Sequence, residues 1–555
     1  MILPHHTQYS KYVYVINHPN WLRFRYLLSL IAFLMTIIGN YYFLSSNIFI
    51  SLTFGTLFVF LTTYFVMNYG IILTGYKKFD VERHNKIRNN YWAHNPEKSV
   101  DIFLPICGED IDVLRNTWEG VKNLKYYTYQ VYVLDDKGTD DYKNLAKEFG
   151  FNYLSRPNKG EMKKAGNLKY GFHNSKGDYI TIFDADFRPH PDFLFELVPY
   201  MSNEKYGIIQ SPQYFAYPES LHDENYVEYG AGVVQEDFYK IVQKARNKYN
   251  GAICVGSNAL YRRSALELIG GTAQVEHSED VRTGFRLWGE GYATHYVPLV
   301  LAAGLCPDNY IAFFKQQNRW CSGSMDLLRS KEFWKTKMPF MMRMCFVSGM
   351  TYYISQFVYF FLPLQIYLVL WINGDSASPW YILWFLPAIL NGYFLFPNFR
   401  TARFKYGGRF VFTTQRYIFA FTVIYTLILG KTLGWTASGD KQKKDNAFSN
   451  LINFSLFYSA GLSILAGLSF YFGKIDLQRV NSWFTYYWVF FAIVSNGSWG
   501  ILSKRLLYKE RIKNSSSAAY HPGILTFNHF VDAITFAVIL TVVGGLTFFV
   551  VSRYR

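Results

Sequence analysis

Two pairs of aspartates follow apolar segments in the middle of the chain: Asp135-Asp136 in VLDDKG and Asp184-x-Asp186 in YITIFDADF. Ligands of open α/β sheets bind at the carboxyl ends of strands, so carboxylates placed there can hold a nucleoside. The second pair also has the spacing to share Mg²⁺ or Mn²⁺ with the oxygens of a phosphate. Because junctions between strands and turns are rich in Asp and Gly, a purely structural role stays open for either pair taken alone.

Two further clusters lie nearer the C-terminus. The pair Glu279-Asp280 in HSEDV can supply a general base that takes a proton from a hydroxyl, although a carboxylate in this position can also simply cap a helix. In the run QQNRW, Gln316 can bond to sugar hydroxyls, Arg319 has forked donors for a phosphate, and Trp320 has a flat face for a sugar ring. The alternative for that run is an amphipathic helix with a tryptophan at a membrane interface.

Alternating β-type and helical patterns surround these clusters and predict the elements that position them. Apolar strands are expected at Val100–Leu104, Val131–Leu134 and Tyr179–Phe183, and a helix near Val113–Leu124. Strands that alternate with helices predict a mostly parallel sheet with crossover helices across residues 98–335. The two aspartate pairs directly follow the second and third of these strands.

Long apolar runs lie on both sides of that globular segment. The chain has 555 residues, half of them apolar, yet its mean hydropathy is near zero, so the apolar residues are unevenly distributed. Each run is long enough to cross about 30 Å of hydrocarbon. We expect seven spans, of which the first two form a hairpin: Tyr26–Leu44, Ile48–Leu73, Tyr352–Ile372, Trp380–Phe396, Leu451–Phe472, Trp483–Leu502 and Phe530–Val551.

Residues 410–433 are also apolar enough to span, but Lys, Arg and Thr interrupt their ends, so we expect an amphipathic helix on the cytosolic face. If they spanned instead, the later topology would invert and the basic loop 504–513 would lie on the wrong side of the membrane. The predicted order is a cytosolic N-terminal segment (1–25), a transmembrane hairpin (26–75), a soluble domain (98–335), an interface helix with two spans (336–400), a second interface segment (401–450) and three final spans (451–555).

The net charge of +16 comes from Lys and Arg that often flank the apolar runs. That placement follows the positive-inside rule, and it predicts a multi-pass plasma-membrane protein with a cytosolic soluble domain, whose partner is a lipid bilayer and not a nucleic acid. The five cysteines have no paired or metal-type spacing, which argues against a disulfide framework or a zinc site and fits a reducing compartment. Residues 1–25 contain no pattern of a removable signal peptide.

Taken together, the four clusters resemble the motifs of the cellulose synthase-like, family-2 inverting glycosyltransferases. In that family they read Asp-Asp, Asp-x-Asp, Thr-Glu-Asp and Gln-x-x-Arg-Trp; here Ser278 replaces the threonine and keeps its hydroxyl. The resemblance runs from about residue 98 to residue 372, roughly half of the chain. Further matching segments are LPICGED (104–110), KKAGNL (163–168), IQSPQYF (209–215), CVGSNALYRRSAL (254–266) and AAGLCPDNY (302–310).

The resemblance implies an α/β domain of the GT-A type, a mixed sheet with helices on both faces, inserted between transmembrane helices. It also implies a role for each site residue. Asp280 is the catalytic base with Glu279 beside it, and Asp186 is the ligand of Mg²⁺ or Mn²⁺. The acceptor is held by Trp320, Gly256 and Ser257. The UDP-sugar donor is held by Pro105, Glu109, Asp135, Asp136, Lys164, Asp184, Gln316 and Arg319.

The activity that the resemblance implies is processive transfer of glucose from UDP-glucose to a growing β-glucan, which leaves through a channel between the spans. The family's gating loop has its nearest counterpart in residues 435–441, with Trp435, Thr436 and Lys441 as the candidates. We expect no PilZ domain and therefore no response to cyclic di-GMP. Two alternatives stay open: a non-processive enzyme with a lipid acceptor, like ceramide glucosyltransferases, and a hyaluronan- or chitin-type synthase with an N-acetylhexosamine donor. The sequence leaves the oligomeric state open.

Overall fold

The computed structural model of the chain describes residues 3–15, 19–44, 48–94, 98–215, 225–373, 383–384, 386–391 and 406–431, and the single residues 451, 457, 458, 461 and 468. The strands of this part are β1 (Val100–Ile106), β2 (Tyr129–Asp135), β3 (Asn152–Leu154), β4 (Tyr179–Ile182), β5 (Phe187–Pro189), β6 (Tyr206–Gln210), β7 (Tyr214–Phe215), β8 (Ala259–Arg262), β9 (Ala293–Tyr296) and β10 (Ala302–Gly304).

The helices of the N-terminal half are α1 (Pro19–Leu44), α2 (Ile48–Gly75), α3 (Val81–His94), α4 (Ile111–Lys122), α5 (Asp140–Phe149), α6 (Lys163–His173), α7 (Phe193–Leu197), α8 (Tyr226–Asp237) and α9 (Gln243–Asn247). A π-helical turn, Phe238–Val242, joins the last two. The later helices are α10 (Arg263–Leu268), α11 (Glu279–Gly289), α12 (Tyr310–Arg329), α13 (Lys331–Lys335), α14 (Phe340–Asn373), α15 (Leu386–Leu390) and α16 (Tyr406–Val423).

A seven-stranded mixed sheet forms the centre of the soluble domain, in the order β3-β2-β1-β4-β8-β6-β9. β1 pairs in parallel with β2 and β4, whereas β8 runs antiparallel to both β4 and β6. The sequence pattern predicted a mostly parallel sheet. β8 is reversed because the chain re-enters the sheet at Ala259, beside the end of β4 at Ile182. A second sheet has the order β5-β10-β7.

Helices cover both faces of the central sheet. Successive side chains of a strand point to opposite faces, and in β1 Ile102 and Leu104 join one apolar core, which also contains Trp118 of α4. Phe103, between them, joins a second core with Phe172 of α6. The implied mixed α/β sheet with helices on both faces is therefore confirmed.

The predicted N-terminal hairpin consists of α1 and α2, which pack against each other. Within the described residues, two helical segments are long and apolar enough to cross a membrane, Asn20–Tyr41 and Phe54–Gly75. The predicted span Tyr352–Ile372 forms the second half of α14, a helix of 34 residues. The spans predicted at 483–502 and 530–551 lie outside the described residues, as do most of those at 380–396 and 451–472, so the count of seven stays a prediction.

Cations of the soluble domain and of α1 surround the C-terminal end of α2. Arg23 donates to the carbonyl of Tyr76 at 2.7 Å, and Lys248 donates to the carbonyl of Thr74 at 2.8 Å. Lys244, which is buried, donates to the hydroxyl of Tyr76 at 3.0 Å. Because the C-terminus of a helix carries partial negative charge and unpaired carbonyls, these contacts stabilise the junction between the hairpin and the soluble domain.

A buried carboxylate fastens the N-terminal segment and α3 to the same domain. Glu196 of α7, 1% exposed, accepts hydrogen bonds from Lys11 at 2.7 Å, from His84 at 2.7 Å and from Arg88 at 3.1 Å. A buried charge is tolerated only when it is paired and hydrogen-bonded, and this one has three partners. Residues 3–15 therefore lie against the soluble domain through Lys11.

The helix predicted to lie on the membrane surface, α16, packs against α8, α12 and α14. Two hydrogen bonds join it to α12: Gln415 donates to Gln317 at 3.0 Å, and Thr422 donates to Asn318 at 2.9 Å. The helix is therefore held against the soluble domain over its described length. Its assignment to the membrane surface stays a prediction.

Candidate active site

The strand ends that carry the predicted site residues meet at one edge of the central sheet. Hydrogen bonds continue past the strands and align these ends: Asp136 N to Ile106 O at 3.0 Å, and Asn258 N to Ile182 O at 3.0 Å. β8 begins where β4 ends, so the loop 254–258 enters the same edge as Asp184. Backbone pairing alone thus brings together the ends of β1, β2 and β4 and the loop 254–258.

The two adjacent aspartates at the end of β2 have different surroundings. Asp135 is fully buried and accepts hydrogen bonds from Lys137 N at 2.8 Å, Thr139 N at 3.1 Å and the Tyr153 hydroxyl at 2.6 Å. These bonds close the turn between β2 and α5, so the geometry gives Asp135 the structural role that the sequence left open. Its contact with the donor stays a prediction.

Asp136 is held by an arginine that the sequence analysis did not identify. Both of its oxygens accept from Arg156, at 2.6 and 2.9 Å, and one accepts from Gly160 N at 3.1 Å. Bidentate pairs between arginine and a carboxylate fix orientation as well as charge. Arg156 therefore balances the charge of Asp136 and fixes the orientation of its carboxylate at the edge of the sheet.

Glu109 and Pro105 bring the first strand to the same edge. Pro105 lies within β1, in register with Leu134 of β2. Glu109 accepts from Cys107 N at 2.5 Å, and burial raises the pKa of its carboxyl, with a further contribution from the charge of Asp184. Several carboxyl groups therefore lie close together at this edge of the sheet.

Lys164, at the start of α6, connects Asp184 at the end of β4 with the loop 254–258 and with α11. Its ammonium donates to Asp184, donates to Gly256 O at 3.2 Å and lies 3.9 Å from Glu279 Oε1. Burial alone would lower the pKa of this lysine, but the charges of Asp184 and Glu279 outweigh burial and raise it. Lys164 is therefore charged, and it joins the second and third sequence clusters to the loop that contains Gly256.

Asp186 is the carboxylate with the properties expected of a metal ligand. Burial and the charges of Asp184 and Glu109 raise the pKa of its carboxyl to about 7. Among the described residues, Lys164 pairs with Asp184 but no cation pairs with Asp186. No group of three His, Cys, Asp or Glu side chains in this part of the chain could hold a metal by itself. Mg²⁺ usually takes one or two carboxylates and completes its shell with phosphate oxygens and water, so these residues fit such an ion.

Asp280 lies in the first turn of α11, directly against the loop after Cys254. Gly256 has φ +79°, and a Cβ at this position would lie 2.9 Å from Asp280 Oδ2, so glycine is required here. Burial first, and then the charge of Glu279, raises the pKa of the Asp280 carboxyl to about 7. A carboxyl with this pKa can accept a proton near neutral pH.

The serine that replaces the family's threonine locks α11 to α12. Ser278 is the N-terminal cap residue of α11, with φ +52°, and its side chain fills the space beside Gly323 of α12. A Cβ on Gly323 would collide with the Ser278 hydroxyl. The Glu279-Asp280 pair and the QQNRW helix are therefore held at a fixed distance.

The QQNRW run lies in the middle of α12, with two different faces. Gln316, Arg319 and Trp320 are partly exposed on one face, while Gln317 and Asn318 are buried and bind α16. The charge of Arg319 lowers the pKa of both Asp186 and Asp280, against the effect of burial, so its guanidinium lies near both carboxyls. The fourth cluster thus lies beside the second and the third.

Ser257 and Tyr239 complete the site. Ser257, fully buried, accepts from Asp184 N at 3.0 Å through its hydroxyl. Tyr239, in the π-helical turn, donates to Gln213 at 2.8 Å, and burial and the charge of Asp280 raise its pKa. No motif signalled Tyr239 in the sequence. The candidate gating residues Trp435, Thr436 and Lys441 lie outside the described residues.

The chain is similar to known glycosyltransferases. Residues 101–270 match the family described as Glycosyl transferase family 2. Cellulose synthase 1 of Komagataeibacter xylinus is 32% identical over 263 residues, 46% of this chain and 17% of that protein. The Cellulose synthase catalytic subunit (UDP-forming) of Xanthomonas axonopodis pv. citri is 29% identical over 260 residues, 46% of this chain and 35% of that protein.

Two solved structures are similar at low identity. The mannosyltransferase PcManGT of Pyrobaculum calidifontis, in complex with GDP-Man and Mn²⁺, is 15% identical with a TM-score of 0.46, over 67% of this chain and 99% of that chain. A glucosyl-3-phosphoglycerate synthase of Mycobacterium tuberculosis, in complex with Mn²⁺ and UDP, is 18% identical with a TM-score of 0.25, over 40% and 75%. Both TM-scores are below 0.5, so the fold assignment rests on the sheet itself.

The family match identifies residues 101–270 as a glycosyltransferase domain of family 2. Within that family the domain is cellulose synthase-like, as its motifs indicated. The matches to the two cellulose synthases cover 17% and 35% of the relatives' own lengths.

Proposed function

We propose that the protein transfers glucose from UDP-glucose to the non-reducing end of a growing β-glucan, with inversion at the anomeric carbon. The observation that carries the proposal is the position of Lys164, which bonds to Asp184 and Gly256 and lies 3.9 Å from Glu279. One ammonium thereby connects the donor-side carboxylate, the acceptor-side loop and the catalytic pair. Such a site can hold a donor and a hydroxyl acceptor side by side.

The protein's own residues supply most of the mechanism. Asp280 takes the proton of the acceptor hydroxyl as that oxygen attacks the anomeric carbon, and displacement from the opposite face converts an α-linkage into a β-linkage. Arg319 and Lys164 bring positive charge to the departing diphosphate. Trp320 offers its ring to the acceptor sugar. A divalent cation bound at Asp186 would neutralise further charge on the leaving group.

Passage of the product through the membrane is part of the proposal. Hydroxyls without partners cost several kcal/mol each in hydrocarbon, so a glucan needs a polar path. Gln356 and Tyr359 of α14 lie in a predicted span, and Gln356 is 6% exposed. Such groups at membrane depth usually face a bundle interior or a water-filled path. Another polar pair has a packing role, because Ser29 of α1 donates to Asn391 at 2.6 Å.

Sealed vesicles with the soluble domain outside test the donor, the product and the path together. With labelled UDP-glucose, we expect a high polymer that is protected from added glucanase until detergent opens the vesicles. Polymer that is fully sensitive to glucanase would contradict secretion. Incorporation from UDP-N-acetylglucosamine but not from UDP-glucose would overturn the assignment of UDP-glucose as the donor. A lipid-sized product would support the alternative of a lipid acceptor.

The pH dependence of transfer follows from Asp280. A general base works only when deprotonated, so a pKa of about 7 predicts that kcat/KM is constant at alkaline pH and falls as the pH drops through neutrality. Below the pKa the fall should approach about tenfold per pH unit. Initial rates at low donor concentration across the neutral range measure this, with UDP affinity recorded in parallel. A flat profile through neutral pH would contradict the assignment.

A further inference from the structure

Arg156 follows β3 by two residues and is 1% exposed. Its guanidinium makes four hydrogen bonds. Two go to the oxygens of Asp136, at 2.6 and 2.9 Å, and two go to backbone carbonyls, those of Glu161 at 2.5 Å and Lys163 at 3.1 Å. One buried side chain therefore joins the end of β2 to the segment that immediately precedes Lys164.

That segment contains two consecutive residues in the left-handed conformation. Met162 and Lys163 both have φ +51°, and neither is glycine. For residues with a Cβ this conformation is disfavoured, by roughly tenfold per residue in population, and it persists where surrounding contacts hold it. The carbonyls bound by Arg156 belong to Glu161 and Lys163, so the guanidinium holds the strained pair at both of its ends.

The strained pair sets the start of α6 and hence the position of Lys164. Met162 is the N-terminal cap residue of that helix and has no side-chain capping bond, so its side chain does not fix the geometry. Space for the guanidinium exists because residue 166 is glycine. A Cβ on Gly166 would collide with Arg156 Nη1 and with the carbonyl of Glu161.

We propose that Arg156 is a positioning residue for donor binding: its fork holds Met162 and Lys163 in the left-handed conformation that places Lys164 against Asp184. The inference rests on the proposed function, because it assigns Lys164 to the donor side. It also gives Asp136 a second role, since this carboxylate fixes the orientation of the fork. A lysine at position 156 keeps the charge, but the three donors on its single nitrogen cannot reproduce the four hydrogen bonds of the planar fork.

The first test is Arg156→Lys in the full chain. When the left-handed pair is no longer held, donor binding must restore it, so we expect KM for the donor to rise about 10- to 100-fold. At saturating donor the restored loop should work normally, with kcat within about threefold of wild type. A purely structural role would instead lower the active fraction, and therefore kcat, at an unchanged KM.

The second test is rescue by glycine. Glycine adopts positive φ without the steric cost of a Cβ. Adding Met162→Gly and Lys163→Gly to Arg156→Lys should therefore lower the raised KM again, by about tenfold. A merely destabilised protein would gain nothing from two glycines, because they increase the entropy lost on folding. Failure of the pair to lower KM would overturn the proposal.

Arg263 provides a matched control at the other end of α6. Its guanidinium also binds one aspartate, Asp101 at 2.8 Å, and two backbone carbonyls, those of Gly177 and Phe172. Arg263→Lys should lower thermal stability and leave KM for the donor within about twofold of wild type. An equal rise of KM in Arg156→Lys and Arg263→Lys would show a general effect on the fold and overturn the proposal.

Gly166→Ala decides the question if Arg156→Lys does not fold. Alanine is favoured over glycine within a helix, by roughly fivefold in population, yet its Cβ would collide with both Arg156 Nη1 and the carbonyl of Glu161 and so break the bond between them. We expect the same rise of KM, and an unchanged KM would overturn the inference. The affinity for UDP should fall in parallel. Calorimetry measures it without any turnover. If the wild-type chain binds UDP but transfers no sugar, the proposed function is wrong. The positioning role of Arg156 is then tested by the UDP affinity of the variants alone.

Discussion

Replacement of Asp280 by asparagine should lower the rate of sugar transfer by about 10²- to 10⁴-fold. Asparagine has nearly the volume of aspartate but cannot accept the acceptor's proton. Asp280 is the carboxyl in contact with the Gly256 loop, and its pKa of about 7 suits proton transfer near neutral pH. The measurement is kcat with saturating UDP-glucose and primer, together with the affinity for UDP. We expect UDP affinity to stay within about twofold of wild type, because the base contacts the acceptor.

Asp326→Asn is the matched control for that experiment. Asp326 lies on α12 and forms a salt bridge with Arg282 of α11 at 2.8 Å, with its side chain 60% exposed. Because Asp326 is exposed and Arg282 keeps Glu332 as a second partner at 3.8 Å, transfer should be close to wild type. Turnover near normal in Asp280→Asn would rule out Asp280 as the base. Equal losses in both variants would point to a disturbed contact between α11 and α12.

Much of the site was predictable because its residues follow local patterns. To predict an apolar strand that ends in an aspartate, one needs only the periodicity of the strand and the change to polar residues. Both signals are visible in VYVLDD and YITIFDAD. Backbone pairing then brings Asp136 and Asp184 to one edge of the sheet without any further information. Asp280 and Arg319 lie where their motifs indicated, at a helix start and on a helix face.

The partners of these residues were not predictable, because they are distant in sequence. Asp135 and Asp136 look equivalent in the sequence, and only the positions of Tyr153 and Arg156 show that one closes a turn and the other orients a buried arginine. Within QQNRW, Gln317 carries no mark that separates it from Gln316. Its hydrogen bond with Gln415, 98 residues away, gives Gln317 a structural role. Tertiary contacts of this kind determine which polar residue is available to a ligand.

The direction of β8 could not be predicted, for a similar reason. Its residues, Ala259–Arg262, are apolar and β-prone whether the strand is parallel or antiparallel. The reversal depends on where the chain enters the sheet, which the connection after α9 decides. It is also functional, because it brings Gly256 and Ser257 to the edge where β4 ends. A parallel β8 would have placed that loop at the opposite edge of the sheet.

Removal of divalent cations should abolish transfer, and Mg²⁺ or Mn²⁺ should restore it. Asp186 is a half-buried carboxylate beside Asp184 and Glu109, and among the described residues no cation pairs with it. A diphosphate brought to this edge would be repelled by the carboxylates. The two positive charges of Arg319 and Lys164 do not balance the negative charges of the diphosphate and the carboxylates together. A divalent ion removes that repulsion and stabilises the leaving group. Full activity in excess EDTA would contradict the assignment.

Asp186→Ala should reproduce the effect of chelation in the presence of excess metal. Asp178→Asn is its matched control: this aspartate precedes the same strand, β4, at the opposite edge of the sheet, and it pairs with Lys98 at 3.2 Å on the surface. The readout besides activity is Mn²⁺ binding in the presence of UDP, followed by electron paramagnetic resonance. We expect wild type and Asp178→Asn to bind the ion and Asp186→Ala to lose it. Binding that is retained in Asp186→Ala would place the ion on other carboxylates of the edge, because Asp184 and Glu109 lie beside it.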